Sequence, residues 1–344
     1  MGKKPHLSMA DVDALTFEDG CLFHDIRGRA HEAPTPLAPL ADTHGHLGSL
    51  EDHDAALSLA RAALAGVRLL VCPIDPAFAH EFPDTWKDPQ ALEAWFGKTI
   101  AKAREYLERF AECGLVPPTF VGAYENVSEL LENVFVIAGA HPYSAADFDD
   151  DARARMERLL VCERTLGVGE IGLDFGPYCE VCEEAQVRAF RAQLRMAHEH
   201  RLPVELHLRD GEGNTHAHDV AQTILEQEGV PEAGCDLHCF TDDAEVMAPF
   251  VELGCYVAFG GATTFKRSED IRSAVLACPS AQILSETDAP YMAPEPLRGS
   301  ECEPAMVAFS AALLARIRAE AGVASKQETY DALWTNALRL CGLD

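Results

Sequence analysis

Residues 166–175 read LGVGEIGLDF, and residues 202–208 read LPVELHL. Each is a short, nearly continuous apolar run carrying an ionisable group of chemical interest, Glu170 in the first and His207 in the second. Runs of this kind suit strands buried on both faces, as in a parallel sheet. The same texture recurs on either side, at PLADTHGH (39–46), VRLLVCPI (67–74), VFVIAGAHP (134–142), CDLHCF (235–240), CYVAFGG (255–261) and AQILSETD (281–288). The stretches between them carry helical spacing. In 186–197, for example, Val187, Phe190, Leu194 and Ala197 mark one face. Eight strands alternating with helices predict an α/β fold, a closed (β/α)8 TIM barrel.

The barrel is expected to occupy residues 39–344. Residues 1–38 mix charge, Gly and Pro and end in HEAPTPLAPL, so they are expected to form an irregular N-terminal extension. About sixty residues separate the second and third strands, far more than a plain crossover needs. This predicts a helical insertion over about 75–130. Asp88 can cap its helix with Pro89 at the first position. Leu92, Trp95, Phe96, Ile100, Ala103, Leu107 and Phe110 form an apolar stripe, and Gly114 can end the helix. Because the insertion follows a strand, it is expected to rise from the catalytic face and narrow the barrel mouth.

Composition excludes several classes. No run approaches the ~20 apolar residues of a membrane span. The start, MGKKPHLSMADVDAL, lacks the apolar stretch of a secretory signal, and His6 breaks the myristoylation pattern. A cytoplasmic location is expected, and no stable protein partner is evident. The twelve cysteines are scattered, several inside apolar runs, which reads as reduced thiols. Cys179 and Cys182 form a lone CxxC without the second pair of a zinc knuckle. The net charge of −28 repels polyanions and argues against a protein that tracks duplex DNA on a basic stripe. A metal-centred phosphodiesterase is compatible with it, because divalent ions supply positive charge where a phosphate docks.

The strand ends carry the chemistry. The first ends in Asp42-Thr43-His44-Gly45-His46, and residues two apart on a strand point the same way, so both imidazoles can face one ion. Glu170 lies on the fourth strand, His207 on the fifth, His238 on the sixth and Asp288 at the end of the eighth. A lone strand histidine is usually a satisfied core group. Six potential ligands at one end of a barrel, where barrel active sites gather, are expected to form a metal site. Four histidines with two carboxylates suit Zn²⁺, Mn²⁺ or Mg²⁺. One carboxylate bridging two divalent ions lets a single glutamate serve both. Asp42 can orient a liganding imidazole. Of the basic residues that could meet a substrate anion, Arg209, Lys266 and Arg298, Arg209 stands next to a ligand. His216 and His218, in the loop after LHLRD, are expected to face solvent.

In DTHGHL, AGAHPY, GEIGLDF, LPVELHLRD, LHCF, GCYVAFGGATTFK, ETDAPYMAP, RGSECEP and TNALRL, from about residue 40 to the C-terminus, the chain resembles the TatD family of metal-dependent deoxyribonucleases, within the amidohydrolase-like barrels. The resemblance implies one metal on His44, His46, Glu170 and Asp288, and a second on Glu170, His207 and His238. It implies that Asp288 handles the proton of the attacking water and that His141 sits beside the substrate phosphate. The catalytic residues are then Asp288 and Glu170, and the substrate-binding residues His141 and Arg209. The chain departs from the family at Thr241-Asp242, at Cys302 and in the loop GEGNTHAHD, which bears on substrate rather than on the metal centre. The expected reaction is attack by a metal-bound hydroxide on a phosphodiester in DNA ends or single-stranded DNA. The alternative is an ester, amide or lactone hydrolase using the same two-metal site.

Overall fold

A computed structural model describes residues 6–77 and 88–344. Ahead of the barrel, α1 (Met9–Asp19) is followed by a small antiparallel ribbon of β1 (Phe23–His24) and β2 (Ala30–His31). Then come β3 (Leu40–Asp42), α2 (Ala55–Ala65), β4 (Val67–Ile74), α3 (Pro89–Glu112), β5 (Val134–Ala138), α4 (Asp150–Leu160) and β6 (Thr165–Asp174). The chain continues through α5 (Glu183–His200), β7 (Val204–Arg209), α6 (His216–Glu228), β8 (Cys235–Leu237), α7 (Ala244–Glu252), β9 (Tyr256–Phe259), α8 (Glu269–Ala277), β10 (Ile283–Ser285), α9 (Val307–Glu320) and α10 (Lys326–Leu340).

Strands β3 to β10 pair in parallel in sequence order, each falling within one of the eight apolar runs or a residue beyond it. The sheet curls until its edges meet. Thr43 N–H donates to Ser285 O at 3.2 Å, and Gly45 bridges Ala289. All eight residues of β4 are buried. Leu69 and Val71 join Ala41, Ile137, Ala258 and Leu284 in a small core, while Leu70 and Cys72 pack with the helices in the larger one. Both faces are apolar because each has a partner layer. In α5, Phe190, Leu194 and Ala197 are buried. Among the described residues, no helix is long and apolar enough to cross a membrane.

The N-terminal extension departs from the irregular segment expected. Its α1 is capped by Ser8, which accepts from Asp11 N–H, and ends at Gly20 in the left-handed conformation. Buried Arg61 of α2 ties it to the barrel. Its guanidinium donates to Thr16 Oγ1 (2.9 Å), Leu22 O (2.5 Å) and Glu303 Oε1 (2.7 Å). These partners lie far from Arg61 in sequence, and α1 itself carries only a weak apolar stripe.

Helix α3 has the expected cap, Asp88 accepting from Gln90 and Ala91 N–H with Pro89 in the first turn. Its stripe packs elsewhere than expected. Leu92, Phe96, Ala103 and Phe110 are buried, Lys102 pairs with Asp54 of α2's cap, and Phe110 stacks on Phe17 of α1 at 4.5 Å. Glu93 pairs with Arg164, just before β6, at the end of the barrel opposite the ligands. The helix is a brace on the outer layer, not a rim over the mouth. The part of the connection at 78–87 lies outside the described residues.

Candidate metal centre

The ligand-bearing strands are arranged so that Glu170 reaches the middle of the mouth. The register between β6 and β7 shifts between Val168 and Ile171. At this irregularity the backbones approach closely. A Cβ on Gly169 would lie 2.8 Å from Glu205 Cβ, and one on Gly172, where φ is +145°, would lie 2.1 Å from His207 O. Only glycine fits there. His44 and His46 lie beyond the end of β3, not on it as the alternation argument supposed. They are held by Asp288 N–H to His44 O (2.9 Å) and His46 N–H to Ala289 O (2.8 Å). The barrel's closing seam therefore positions three of the six candidate ligands together.

Two donor sets result. In the first, His44 Nε2 and His46 Nε2 are 3.0 Å apart. Glu170 Oε1 is 3.8 and 3.5 Å from them, and Asp288 Oδ1 is 3.7 Å from each. Four donors ~2.1 Å from a tetrahedral ion would be separated by about 3.4 Å, so the spacing fits. In the second, His238 Nε2 is 3.1 Å and His207 Nδ1 3.6 Å from Glu170 Oε2, and the two nitrogens are 3.2 Å apart. The His44 and His238 rings stack at 4.0 Å between the sets. One oxygen of Glu170 faces each set.

The protonation chemistry fits cation binding. His44 Nδ1 bonds Glu205 Oε1 at 2.6 Å, which leaves a lone pair on Nε2. His207 Nε2 bonds Asp174 Oδ2 at 3.1 Å, leaving Nδ1 to face Glu170. Burial opposes ionisation of Glu170, but His44, His207 and His238 outweigh it and hold its carboxyl well below the ordinary range. Burial likewise opposes charge on Asp288, and His46 and His44 hold it low. Both carboxylates are therefore available as anionic ligands.

His141 Nδ1 accepts from Tyr143 N–H at 3.1 Å, which fixes the loop. Burial, then the neighbouring His207, lowers its pKa to about 3. The ring is neutral, so with Nδ1 as acceptor its proton sits on Nε2, 3.9 Å from Glu170 Oε2. Arg209 is exposed at the end of β7, its guanidinium 5.6 Å from the centre of the Tyr178 ring. Arg298 instead lies over Phe265 at 4.2 Å.

Asp42 does not orient an imidazole. Its two oxygens accept Thr287 N–H (2.8 Å) and Thr287 Oγ1–H (2.7 Å), which fixes the turn that presents Asp288. The orienting partners are Glu205 and Asp174, neither of which the sequence reading singled out. The signal was present: Glu205 stands two residues before His207, on the same side of a strand otherwise apolar at its start. His216 is exposed as expected, but His218 is buried. Cys179 and Cys182 are free, as are the other cysteines, and neither joins a metal-type cluster among the described residues.

Comparison with known proteins agrees with this geometry. The model of the family described as TatD related DNase matches residues 41–342. A metal-dependent hydrolase of Escherichia coli K12, YcfH, is 34% identical over 260 residues, 75% of this chain and 92% of its own. A metal-dependent hydrolase of Bacillus subtilis, YabD, is 34% identical over 218 residues, 63% of this chain and 82% of its own. A protein of Shigella flexneri named 3'-5' ssDNA/RNA exonuclease TatD is 35% identical over 161 residues, 46% of this chain and 59% of its own. The crystal structure of YJJV, a TatD homologue from Escherichia coli, superposes with a TM-score of 0.64 at 25% identity, covering 88% of this chain and 98% of that one. With the histidines and carboxylates converging at the mouth of a barrel of this kind, the chain belongs to the TatD family of metal-dependent hydrolases.

Proposed function

We propose that this hydrolase cleaves phosphodiester bonds at DNA ends or in single-stranded DNA, using two divalent ions (Mg²⁺, Mn²⁺ or Zn²⁺). The observation that carries the reading is the division of Glu170, one oxygen toward His44 and His46 and the other toward His207 and His238. His44, His46, Glu170 and Asp288 would hold one ion, and Glu170, His207 and His238 the other. Bound ions would supply positive charge for the phosphate and acidify water. Asp288, kept ionised by His46 and His44 and facing the same donor set, accepts the proton of the attacking water. His141 donates from Nε2 to a phosphate oxygen, and Arg209 holds a neighbouring phosphate. Glu205 and Asp174 keep the ligand imidazoles in one tautomer. The name of the Shigella relative supports a nucleic-acid substrate. The hydrolase acts in the cytoplasm.

The test is a substrate panel with added metals: bis-p-nitrophenyl phosphate, end-labelled single-stranded and closed duplex DNA, and simple esters and lactones. Phosphodiester hydrolysis that favours single-stranded ends is expected. Turnover of esters or lactones without phosphodiester cleavage overturns the reading.

A further inference from the structure

Among the described residues, one more group of metal-type donors converges away from the six candidate ligands. Asp210 follows β7, His218 sits in the first turn of α6, and Asp242 lies four residues beyond His238. The His218 side chain is only 4% exposed. Its Nδ1 bonds Asp210 Oδ2 at 2.6 Å. The other oxygen of Asp210 accepts the backbone N–H groups of Ala217 (2.6 Å) and His218 (3.3 Å) at the start of α6. Three N–H donors therefore engage that carboxylate.

With Nδ1–H given to Asp210, His218 Nε2 carries a lone pair. It makes no hydrogen bond among the described residues and is aimed at Asp242 Oδ2, 4.0 Å away. Burial raises the pKa of the Asp242 carboxyl; His218 opposes the shift, and the charges of Asp210, Asp243 and Asp270 add to it. Two acceptors thus face each other across a gap in a negative field, close to the 3.5–3.8 Å separations between nitrogen and oxygen in the first donor set. An imidazole whose other N–H goes to a carboxylate is the usual state of a histidine metal ligand.

We propose that His218 Nε2 and Asp242 bind a divalent cation, with Asp210 orienting the imidazole and water completing the shell. Imidazole with carboxylate matches zinc best. The site joins the segments that follow His207 and His238, so filling it pins together the two segments that carry the second donor set. His216 takes no part, since it is exposed and paired with Glu183.

Counting zinc by elemental analysis after equilibration of the chelator-stripped full chain in excess zinc tests this. His218→Gln and Asp242→Asn should each hold one equivalent fewer than the unsubstituted chain, and the rise in Tm on adding zinc should shrink in both. Equal zinc content in the three chains overturns the proposal and leaves His218 and Asp242 as a simple ion pair. If His218→Gln fails to fold, Asp242→Asn decides alone, because that side chain is 41% exposed and its loss leaves the core intact.

Discussion

His44 and Glu205 stand 161 residues apart in sequence, and their side chains meet at 2.6 Å inside the barrel, Nδ1 to Oε1. The contact sets the tautomer of His44, the most buried of the proposed metal ligands. Glu205→Leu should weaken metal binding roughly 10–100-fold. Glu205→Gln, which keeps an acceptor for Nδ1–H, should lose much less. Metal titrations on stripped protein measure both, and equal affinities in the two variants would remove the orienting role.

Glu170 faces both donor sets, whereas each histidine belongs to one. Glu170→Ala should therefore lower metal content more than alanine at His44, His46, His207 or His238 alone. Elemental analysis of the five purified variants checks this. Full occupancy in Glu170→Ala would sink the bridging role.

An enzyme with net charge −28 gains little from broad counterion release, which needs many Lys or Arg contacts to phosphate. Affinity for single-stranded DNA should fall only shallowly with salt, with a slope for about one to three phosphate contacts. Arg209→Ala should weaken DNA binding while metal content stays unchanged. Fluorescence anisotropy across a salt series reads the slope. A steep slope, or binding to closed circular duplex that survives chelation, would reveal a basic surface.

Asp25 anchors the N-terminal ribbon. Burial would raise its pKa, but the Arg29 guanidinium and the N–H groups of Arg27 and Arg29 prevail and lower it from 3.8 to about 2. A carboxyl depressed in the folded state stabilises above its unfolded pKa and loses that contribution as pH falls through the folded value. Arg29 is largely exposed, so the contribution is discounted to about 1 kcal/mol. Asp25→Asn should lower Tm by roughly 2 °C at neutral pH. Melting curves between pH 7 and 2 should show the gap closing below about pH 4. A gap independent of pH would show that the carboxylate charge is not what stabilises the ribbon.

The order of the eight strands is legible in the amino-acid sequence, and so are the six residues proposed as metal ligands. An apolar run buried on both faces leaves a local signature, and a histidine or carboxylate at the end of such a run is chemically conspicuous wherever the chain goes. The cap of α3 at Asp88 is legible for the same reason, since it depends on neighbours within one turn. What the tertiary structure decided is which distant groups meet. Glu205 finds His44 across the barrel, and Asp174 finds His207 on the neighbouring strand. Asp42 turns to Thr287 because the seam closes between β3 and β10. Arg61 folds α1 onto the barrel through Thr16, Leu22 and Glu303, and α3 braces α1 and α2 because its stripe meets Phe17. His218, expected in solvent, is buried once α6 packs. Each of these rests on a contact between segments far apart in the chain, and a polar side chain's partner depends on the closure of the whole barrel, about which residues adjacent in sequence carry no information.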